Sequence, residues 1–535
     1  TRQRASLHHG LAGDFRQALR TLRFDRGFAA TVIVTLAIGI GACATVFSFI
    51  NALLLDSLPF PDPGRLVLLW ETDHDVRDKR FIVARPNYDD WVKETRSFAS
   101  LGIWEYRSVN IASAHEPEQV RGVRATSSLF TVLGVAPALG RVFTDEEDAR
   151  HEKVVVISDA VWRTHLGGDQ AALGKQLRLN GEPYQVVGVM PPGFVFPQAG
   201  NGVWVPFAIV DQDQQRGAHS FFVAGRMRPD VTFEQARADV EQVGRALQQR
   251  FPENKDEGAT ATLMSTQGLG QVRSMLTALM GAVLFILVIG CVNVANLQLG
   301  RGLSRRREFA LRLSLGAGLR TLARQLFAES LVLALCGGIG GLVLTWIALR
   351  AADVLVTPGF RTLPFRGEVA LTIDGAVLAF AAVMALLSAV TFGFAPMFGL
   401  SRREPNSLLR EGERGSTAAG NVARKVLVGI EVALAIVVLC GAGLLIKSLS
   451  GLLRVSPGLD PRDVLTMTVS LPQDDTYGPP VRESFCADLS RESDGLPGIR
   501  TIGAISHLPL SGANAGRLLT VEGYTPSTDE RVSPA

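Results

Sequence analysis

Two stretches of the chain come close to the spacing of a phosphate-binding loop, in which backbone N–H groups and a lysine cradle phosphates. Gly441-Ala-Gly-Leu-Leu-Ile-Lys447-Ser448 has the lysine and the hydroxyl, but Ile446 stands where the glycine before the lysine must be, and the segment ends a long apolar run. Leu173-Gly174-Lys175-Gln176 has no glycine at 169 and no Ser or Thr after the lysine. Neither binds nucleotide on this reading, so nucleotide-driven work needs another chain. The histidines His8, His9, His74, His115, His151, His165, His219 and His507 are scattered, and none shares a helix face with a second His, Cys or carboxylate at metal-ligand spacing. Solvated surface histidine is the expectation for nearly all of them. There is no Gly-x-Ser-x-Gly nucleophile elbow. The chemistry-bearing residues therefore predict no catalytic site, no cofactor and no metal, and not an enzyme.

The residues that invite a function are instead polar or basic groups set in and between apolar stretches. Asn51, Asn293, Asn296, Glu329 and Glu431 fall within or at the ends of such stretches, where ionisable groups are costly. Glu329 lies five residues beyond Arg324, and Glu431 six beyond Lys425, so structural pairing near a membrane surface is favoured over a proton path. The segment Arg301–Gln325 is the most suggestive. It predicts a short helix over Arg305–Leu315, ended by Gly316-Ala317-Gly318, with Phe309, Leu311, Leu313 and Leu315 set among arginines. A second helix then leads onward. A short helix lying along the membrane between two spans can dock a cytoplasmic partner.

Five apolar stretches must position these groups: Phe28–Leu55, Met275–Leu299, Phe327–Leu349, Ile373–Leu400 and Val426–Leu449. Each exceeds the ~20 residues that cross a bilayer. Whole-chain averages conceal them, since 20% charged residues and a net charge of +3 mix membrane and soluble parts. The arginines are more informative. They crowd before the first stretch (Arg2, Arg4, Arg16, Arg20, Arg23, Arg26), over 301–324, and over 401–425. The positive-inside rule places the N-terminus and those two loops in the cytoplasm, with 56–272 and 450–535 outside. Nucleic-acid binding is a poor account of basic tracts that flank spans. Four of the five cysteines (Cys43, Cys291, Cys336, Cys440) lie in spans and only Cys486 outside, so packing rather than disulfides must hold the outer domains. The first stretch is too long for a signal-peptide core and reads as a retained anchor. Asp14–Asp25 predicts an amphipathic surface helix. In the third span, Gly337-Gly-Ile-Gly-Gly341 lets helices approach closely, either for intrachain packing or for a dimer seam, and the former is the simpler use.

Between the first two spans the pattern predicts an α+β domain: strands over Arg65–Trp70, Lys153–Ile157 and Ser220–Met227, helices over Asn87–Phe98, Ser158–His165 and Thr232–Phe251, and a hairpin over Gln176–Val189 turning at Asn180-Gly181. Thr232 and Gln235 form a capping box. After the fifth span, strands over Asp463–Leu471 and Ile499–Ile505 flank a helix over Val481–Leu489. Basic segment, span and outer domain thus recur, at 14–272 and from 421 onward. The fold class is a membrane protein of α-helical spans with α+β extracytoplasmic domains. The organisation is 1–27 cytoplasmic segment, 28–55 span 1, 56–272 first outer domain, 273–400 spans 2–4, 401–425 cytoplasmic loop, 426–449 span 5, and 450–535 the start of a second outer domain. The chain opens at Thr1 and stops in mid-domain, which reads as a fragment of a duplicated eight-span protein.

At these residues the chain resembles the FtsX-like permeases with a MacB-type periplasmic core domain, subunits of ABC transporters. The resemblance is carried by 19–71 (LRTLRFDRGFAATVIVTLAIGIGACATVFSFINALLLDSLPFPDPGRLVLLWE), most specifically by 154–197 (VVVISDAVWRTHLGGDQAALGKQLRLNGEPYQVVGVMPPGFVFP), and by 291–338, and it covers essentially the whole chain. The duplicated layout resembles the subgroup called acidobacterial duplicated orphan permeases. The resemblance implies a multi-pass protein of the bacterial plasma (inner) membrane, driven by a separate cytoplasmic ABC ATPase, with a periplasmic adaptor or substrate protein as a further partner and no nucleic acid. It implies efflux or mechanotransmission, with a non-transporting regulator of a periplasmic enzyme or sensor as the alternative. It also implies an ATPase contact on a coupling helix at Glu308, Phe309, Ala310, Leu311, Arg312, Gly316 and Ala317.

Overall fold

The computed structural model describes residues 20, 25–55, 58–73, 80–111, 118–208, 214–304, 319–355, 362–368, 371–393, 417–455, 464–467, 469, 479–493, 496–499 and 501–505. These fall into a larger unit (1–107, 120–176 and 184–465) and a smaller one (108–119, 177–183 and 466–535). Helix α1 (Arg26–Ile50) opens the larger unit, its N-terminus capped by Asp25, and runs into a wider helical turn at Asn51–Leu55. Next come β1 (Leu66–Asp73), β2 (Arg80–Phe81), β3 (Val83–Ala84), α2 (Arg85–Glu94), β4 (Phe98–Ile111) and β5 (Glu118–Ala125). They are followed by α3 (Ser128–Leu133), β6 (Leu139–Gly140), α4 (Asp145–Ala149), β7 (Val154–Ile157) and α5 (Asp159–Leu166). Strands β8 (Gln176–Leu179), β9 (Glu182–Val189), β10 (Asn201–Pro206) and β11 (His219–Met227), helix α6 (Phe233–Arg250) and β12 (Glu257–Leu263) complete this region.

The strands form one mixed sheet in the order β12-β1-β11-β4-β5-β10-β7-β9-β6. β5–β10 and β7–β9 are parallel, and β1 is antiparallel to both its long neighbours. The apolar run of β1 is legible as a strand buried on both faces. Leu66 and Leu68 enter one core with Trp104, Val123, Phe196 and Trp204, while Val67 and Leu69 enter another with Tyr88, Trp91, Val240 and Leu247. Residues alternate between faces because a strand repeats every two positions. The capping box at Thr232 and Gln235 is present, with Thr232 Oγ1 accepting from the Gln235 N–H and Gln235 Oε1 accepting from the Thr232 N–H. α2 stops at Glu94, not Phe98, because Phe98 begins β4 and fills the second core. Sequence reasoning found no strand at β4, β5, β10 or β12, whose polar residues interrupt the alternation.

Among the described residues, five helices are long and apolar enough to cross a membrane: Arg26–Leu55, Val272–Arg301, Ala323–Leu355, Gly375–Gly393 and Val428–Ser448. They belong to α1 and to α7 (Gly270–Ser304), α8 (Leu319–Leu355), α9 (Gly375–Gly393) and α10 (Thr417–Arg454); a hairpin of β13 (Thr362–Leu363) and β14 (Gly367–Glu368) lies between α8 and α9. All five predicted spans are found; the end predicted for the fourth, 394–400, lies outside the described residues. α1 is the hub of the bundle and packs on α7, α8 and α9. Its Val32, Leu36 and Ile40 are fully buried with Leu333, Ala334, Ala381 and Phe392. α10 lies against α7, with Val432, Ile436, Leu439 and Leu444 exposed.

In the smaller unit, Asn180 and Gly181 make the predicted turn with φ of 51° and 87°. Asn180 Oδ1 accepts from the Asn110 N–H at 2.8 Å, and the Asn180 N–H donates to the Asn110 carbonyl at 2.8 Å. Helix α11 runs Pro479–Ser493, longer than predicted at both ends. The strands expected over Asp463–Leu471 and Ile499–Ile505 are not formed among the described residues there. The surface helix expected over Asp14–Asp25 falls almost wholly outside the described residues.

Candidate functional site

The glycines of span 3 pack inside the chain. A Cβ on Gly337 would stand 2.6 Å from Leu36 Cβ, and one on Gly341 would stand 2.9 Å from the Gly41 nitrogen. The reciprocal Cβ on Gly41 would meet the Gly341 carbonyl at 2.9 Å. Thr345 Oγ1 bridges the two helices, 3.1 Å from the Gly41 carbonyl and 3.0 Å from that of Gly341. The small-residue stripe is thus the seam between α1 and α8, the simpler of the two expected uses.

Each end of this seam is tied. At one end, Asp25, the cap of α1, pairs with Arg301 near the end of α7 at 3.3 Å, and the Arg301 guanidinium lies 4.6 Å from the Phe28 ring centroid. Arg301 is the last described side chain before the predicted coupling helix. Glu308, Phe309, Ala310, Leu311, Arg312, Gly316 and Ala317 all lie outside the described residues. At the other end, buried Asn51 donates to Asp374 Oδ2 at 2.7 Å, and Asp374 Oδ1 caps α9 by accepting from the Val377 N–H. Ser48 donates to the Thr372 carbonyl at 3.2 Å. Asn51, the polar residue flagged in sequence at this end, therefore holds helix ends together. Glu329 is buried in the bundle, and Glu431 is half-buried on α10.

One residue that sequence reasoning passed over joins the bundle to the sheet. The β13–β14 turn, Pro364-Phe365-Arg366, comes from the segment between spans 3 and 4. Phe365 is only 4% exposed and belongs to the sheet domain's first core. Its ring lies 5.5 Å from Phe196 and 6.3 Å from Trp104, edge-on to the latter. Its N–H donates to the Pro197 carbonyl at 2.8 Å, and Arg366 reaches the Ser265 carbonyl at 3.4 Å. Phe365 takes a φ of +64°, which is costly for a bulky side chain, on the order of 1–3 kcal/mol. The aromatic burial holds it there. Phe365 is one of two phenylalanines in this segment, with Phe360, and nothing in the sequence marks it as the buried one.

A second cluster also escaped sequence reasoning. His219 is not a solvated histidine: its Nδ1 bonds Glu71 Oε2, and its Nε2 stands 3.2 Å from Glu257 Oε1. The three residues sit on β11, β1 and β12, far apart in sequence and adjacent in the sheet. Burial alone would lower His219 and raise Glu71, giving a neutral pair. Burial opposes the charge on His219, but the hydrogen bonds to Glu257 and Glu71 outweigh it and push the imidazole up to about 10.

Family comparison agrees with this architecture. Residues 29–243 match the MacB-like periplasmic core domain, and residues 280–405 match the FtsX-like permease C-terminal domain. The chain belongs to the FtsX-like permeases with a MacB-like core domain. Among curated relatives, it is 28% identical over 304 residues to a macrolide export ATP-binding/permease protein MacB of Bdellovibrio bacteriovorus, covering 52% of this chain and 43% of that protein. The MacB of an Azoarcus species is 27% identical over 411 residues, covering 75% and 58%. A pyoverdine export ATP-binding/permease protein, PvdT, of Pseudomonas putida is 28% identical over 301 residues, covering 53% and 42%. The chain spans roughly half the length of these relatives. The solved periplasmic region of MacB from Actinobacillus actinomycetemcomitans aligns at 14% identity and a TM-score of 0.31, covering 43% of this chain and 97% of that one, which adds nothing to the assignment. This FtsX-like permease is thus a multi-pass membrane protein, homologous to the permease portion of ABC-type exporters.

Proposed function

We propose that the chain is the force-transmitting permease subunit of an ABC-type efflux system, powered by a separate cytoplasmic ATPase. The ATPase docks on the coupling helix through Glu308, Phe309, Ala310, Leu311, Arg312, Gly316 and Ala317, with the N-terminus on the same side of the membrane. Closure of the ATPase pushes the α7–α8 connection. Span 3 moves with span 1 because their backbones meet at Gly41 and Gly341 with no side chain between. The single observation that carries this reading is the seating of Phe365. The segment between spans 3 and 4 ends in a finger inside the sheet domain's core, so displacement of these spans must carry that domain or unseat the finger. Periplasmic movement then acts on an adaptor or substrate protein.

The reading is tested with the full chain and its ATPase in reconstituted vesicles. Wild type should show ATP-dependent extrusion and co-purify with the ATPase. Glu308→Lys with Arg312→Glu should abolish the complex. Deleting 305–318 without losing the complex would overturn the docking assignment. A complex that forms with no flux, while the variants silence a periplasmic enzyme, would replace export with regulation.

A further inference from the structure

We propose that His219 and Glu257, oriented by Glu71, form a binding site for a divalent transition-metal ion in the sheet domain. The site is built by the sheet itself. β12 and β11 flank β1, so Glu257, Glu71 and His219 present ligand atoms that all lie within 4.8 Å of one another. Two ligands of a tetrahedral ion with bonds of ~2.0–2.2 Å stand about 3.3–3.5 Å apart. His219 Nε2 and Glu257 Oε1 are 3.2 Å apart. The other ring nitrogen, Nδ1, is held by Glu71, which fixes the ring and leaves Nε2 as the coordinating atom, the usual support for a metal-bound imidazole. Glu71 is itself fixed, since its Oε1 accepts from Asn87 Nδ2 at 2.6 Å. The second oxygen of Glu257 is buried and receives no hydrogen bond, a free acceptor beside the same point.

Were both carboxylates ionised, His219 as imidazolium would leave the cluster at −1; burial pushes the Glu71 carboxyl up, and a divalent cation beside it offsets that cost. A divalent ion with neutral His219 brings it to zero. The exchange balances: the metal takes the Nε2 lone pair and one proton leaves to water, while Glu71 keeps the Nδ1–H. Arg216 bonds Asn87 Oδ1 and pairs with Asp90 on α2 at 2.6 Å, which neutralises it. Phe81 of β2 lies edge-on to the imidazole at 4.9 Å, and Asp73, the strand partner of Glu257, adds a further carboxylate on β1. A nitrogen and carboxylate donor set suits Mn²⁺, Co²⁺ or Zn²⁺, with water completing the shell.

The test uses the full chain in detergent, stripped with chelator and titrated with Co²⁺ alone. The expected result is one ion per chain, with a visible spectrum of nitrogen and oxygen ligation and no thiolate charge-transfer band. Glu257→Gln should weaken binding at least thirtyfold, and His219→Gln should abolish it. A thiolate band, binding unchanged in Glu257→Gln, or no binding by wild type at 100 µM ion would overturn the site. If the variants fail to fold, the wild-type stoichiometry and spectrum decide the matter alone.

Discussion

Replacing Phe365 by alanine is the sharpest perturbation the architecture offers. The side chain is 4% exposed and packs on Phe196 and Trp104. Removing a buried phenylalanine ring costs about 3–5 kcal/mol when the surroundings cannot collapse. Alanine at φ +64° keeps a backbone penalty, so the substitution returns little of it. The finger is a local element, and the loss falls on its docking equilibrium more than on the whole domain. At about 1.4 kcal/mol per tenfold, even the lower figure shifts docked against undocked by roughly two powers of ten. The reporter is built in: the residue-365 N–H donates to the Pro197 carbonyl at 2.8 Å, and exchange with deuterium requires that bond to open. Hydrogen exchange on a peptide spanning 362–368 should therefore show protection falling about a hundredfold or more in Phe365→Ala. Peptides from β7, whose Val154 and Val156 line the same core, and from β9 should be unchanged. If protection at 362–368 stayed within threefold of wild type, the aromatic seat would not be what holds the finger, and its role in transmission would fall with it. If β7 slowed or quickened equally, the ring would be a general core residue rather than a docking one.

Other consequences follow from the same geometry. Gly341→Leu should prevent assembly of the α1–α8 seam and lower thermal stability in detergent by several degrees or abolish it, whereas Gly281→Leu, where a Cβ meets nothing within 4 Å, should leave it within one degree. Because His219 is raised above its ordinary 6.5, its clamp stabilises the fold fully below that pH and loses the contribution as pH climbs toward about 10; metal-free protein should show a falling melting temperature over that window, and Glu257→Gln should bring the window's upper end to lower pH and shrink the fall. Arg301→Ala should cost under about 1 kcal/mol by denaturant titration, since Asp25 is nearly half exposed, yet it should reduce ATP-dependent flux if the pair anchors the docking loop.

The membrane bundle was nearly all legible, because bilayer thickness sets a length that apolar composition must meet, and all five stretches met it. The capping box at Thr232, the Asn180-Gly181 turn and the doubly buried run at Leu66–Leu69 were legible for the same reason: each is a local rule. What escaped was non-local. β4 carries Glu105, Arg107 and Asn110 among its apolar residues, and Glu105 is tolerated because it pairs with Arg107 and Arg124, a partner that no periodicity shows. His219 sits well over a hundred residues from Glu71, so spacing rules written for helix faces could not join them. Phe365 is one of several apolar residues between spans 3 and 4, beside Phe360 and Leu363, and its partners Trp104 and Phe196 lie far away in sequence. Asp463–Leu471 and Ile499–Ile505 carry β-branched residues, yet the described ones form no strand, because propensity alone does not make a sheet.

The two non-local features bear on one another. β1 is the strand they share: its Leu66 and Leu68 face the core that receives Phe365, and its Glu71 holds His219 at the far end. β1 is also the first strand after span 1, and β12, which carries Glu257, is the last before span 2. The cluster therefore clamps the two strands through which both spans enter the sheet, while Phe365 fixes the segment joining spans 3 and 4 to the same sheet. A permease that transmits force needs its spans to engage the outer domain at more than one point, because a single tether can swivel without moving its load. Here the strand pair resists parting at Glu257–His219–Glu71 and the finger resists withdrawal at Phe365. Loosening one should leave the other as a pivot. Coupled measurements on Phe365→Ala and Glu257→Gln should therefore show a loss of flux greater in the double variant than the product of the single losses.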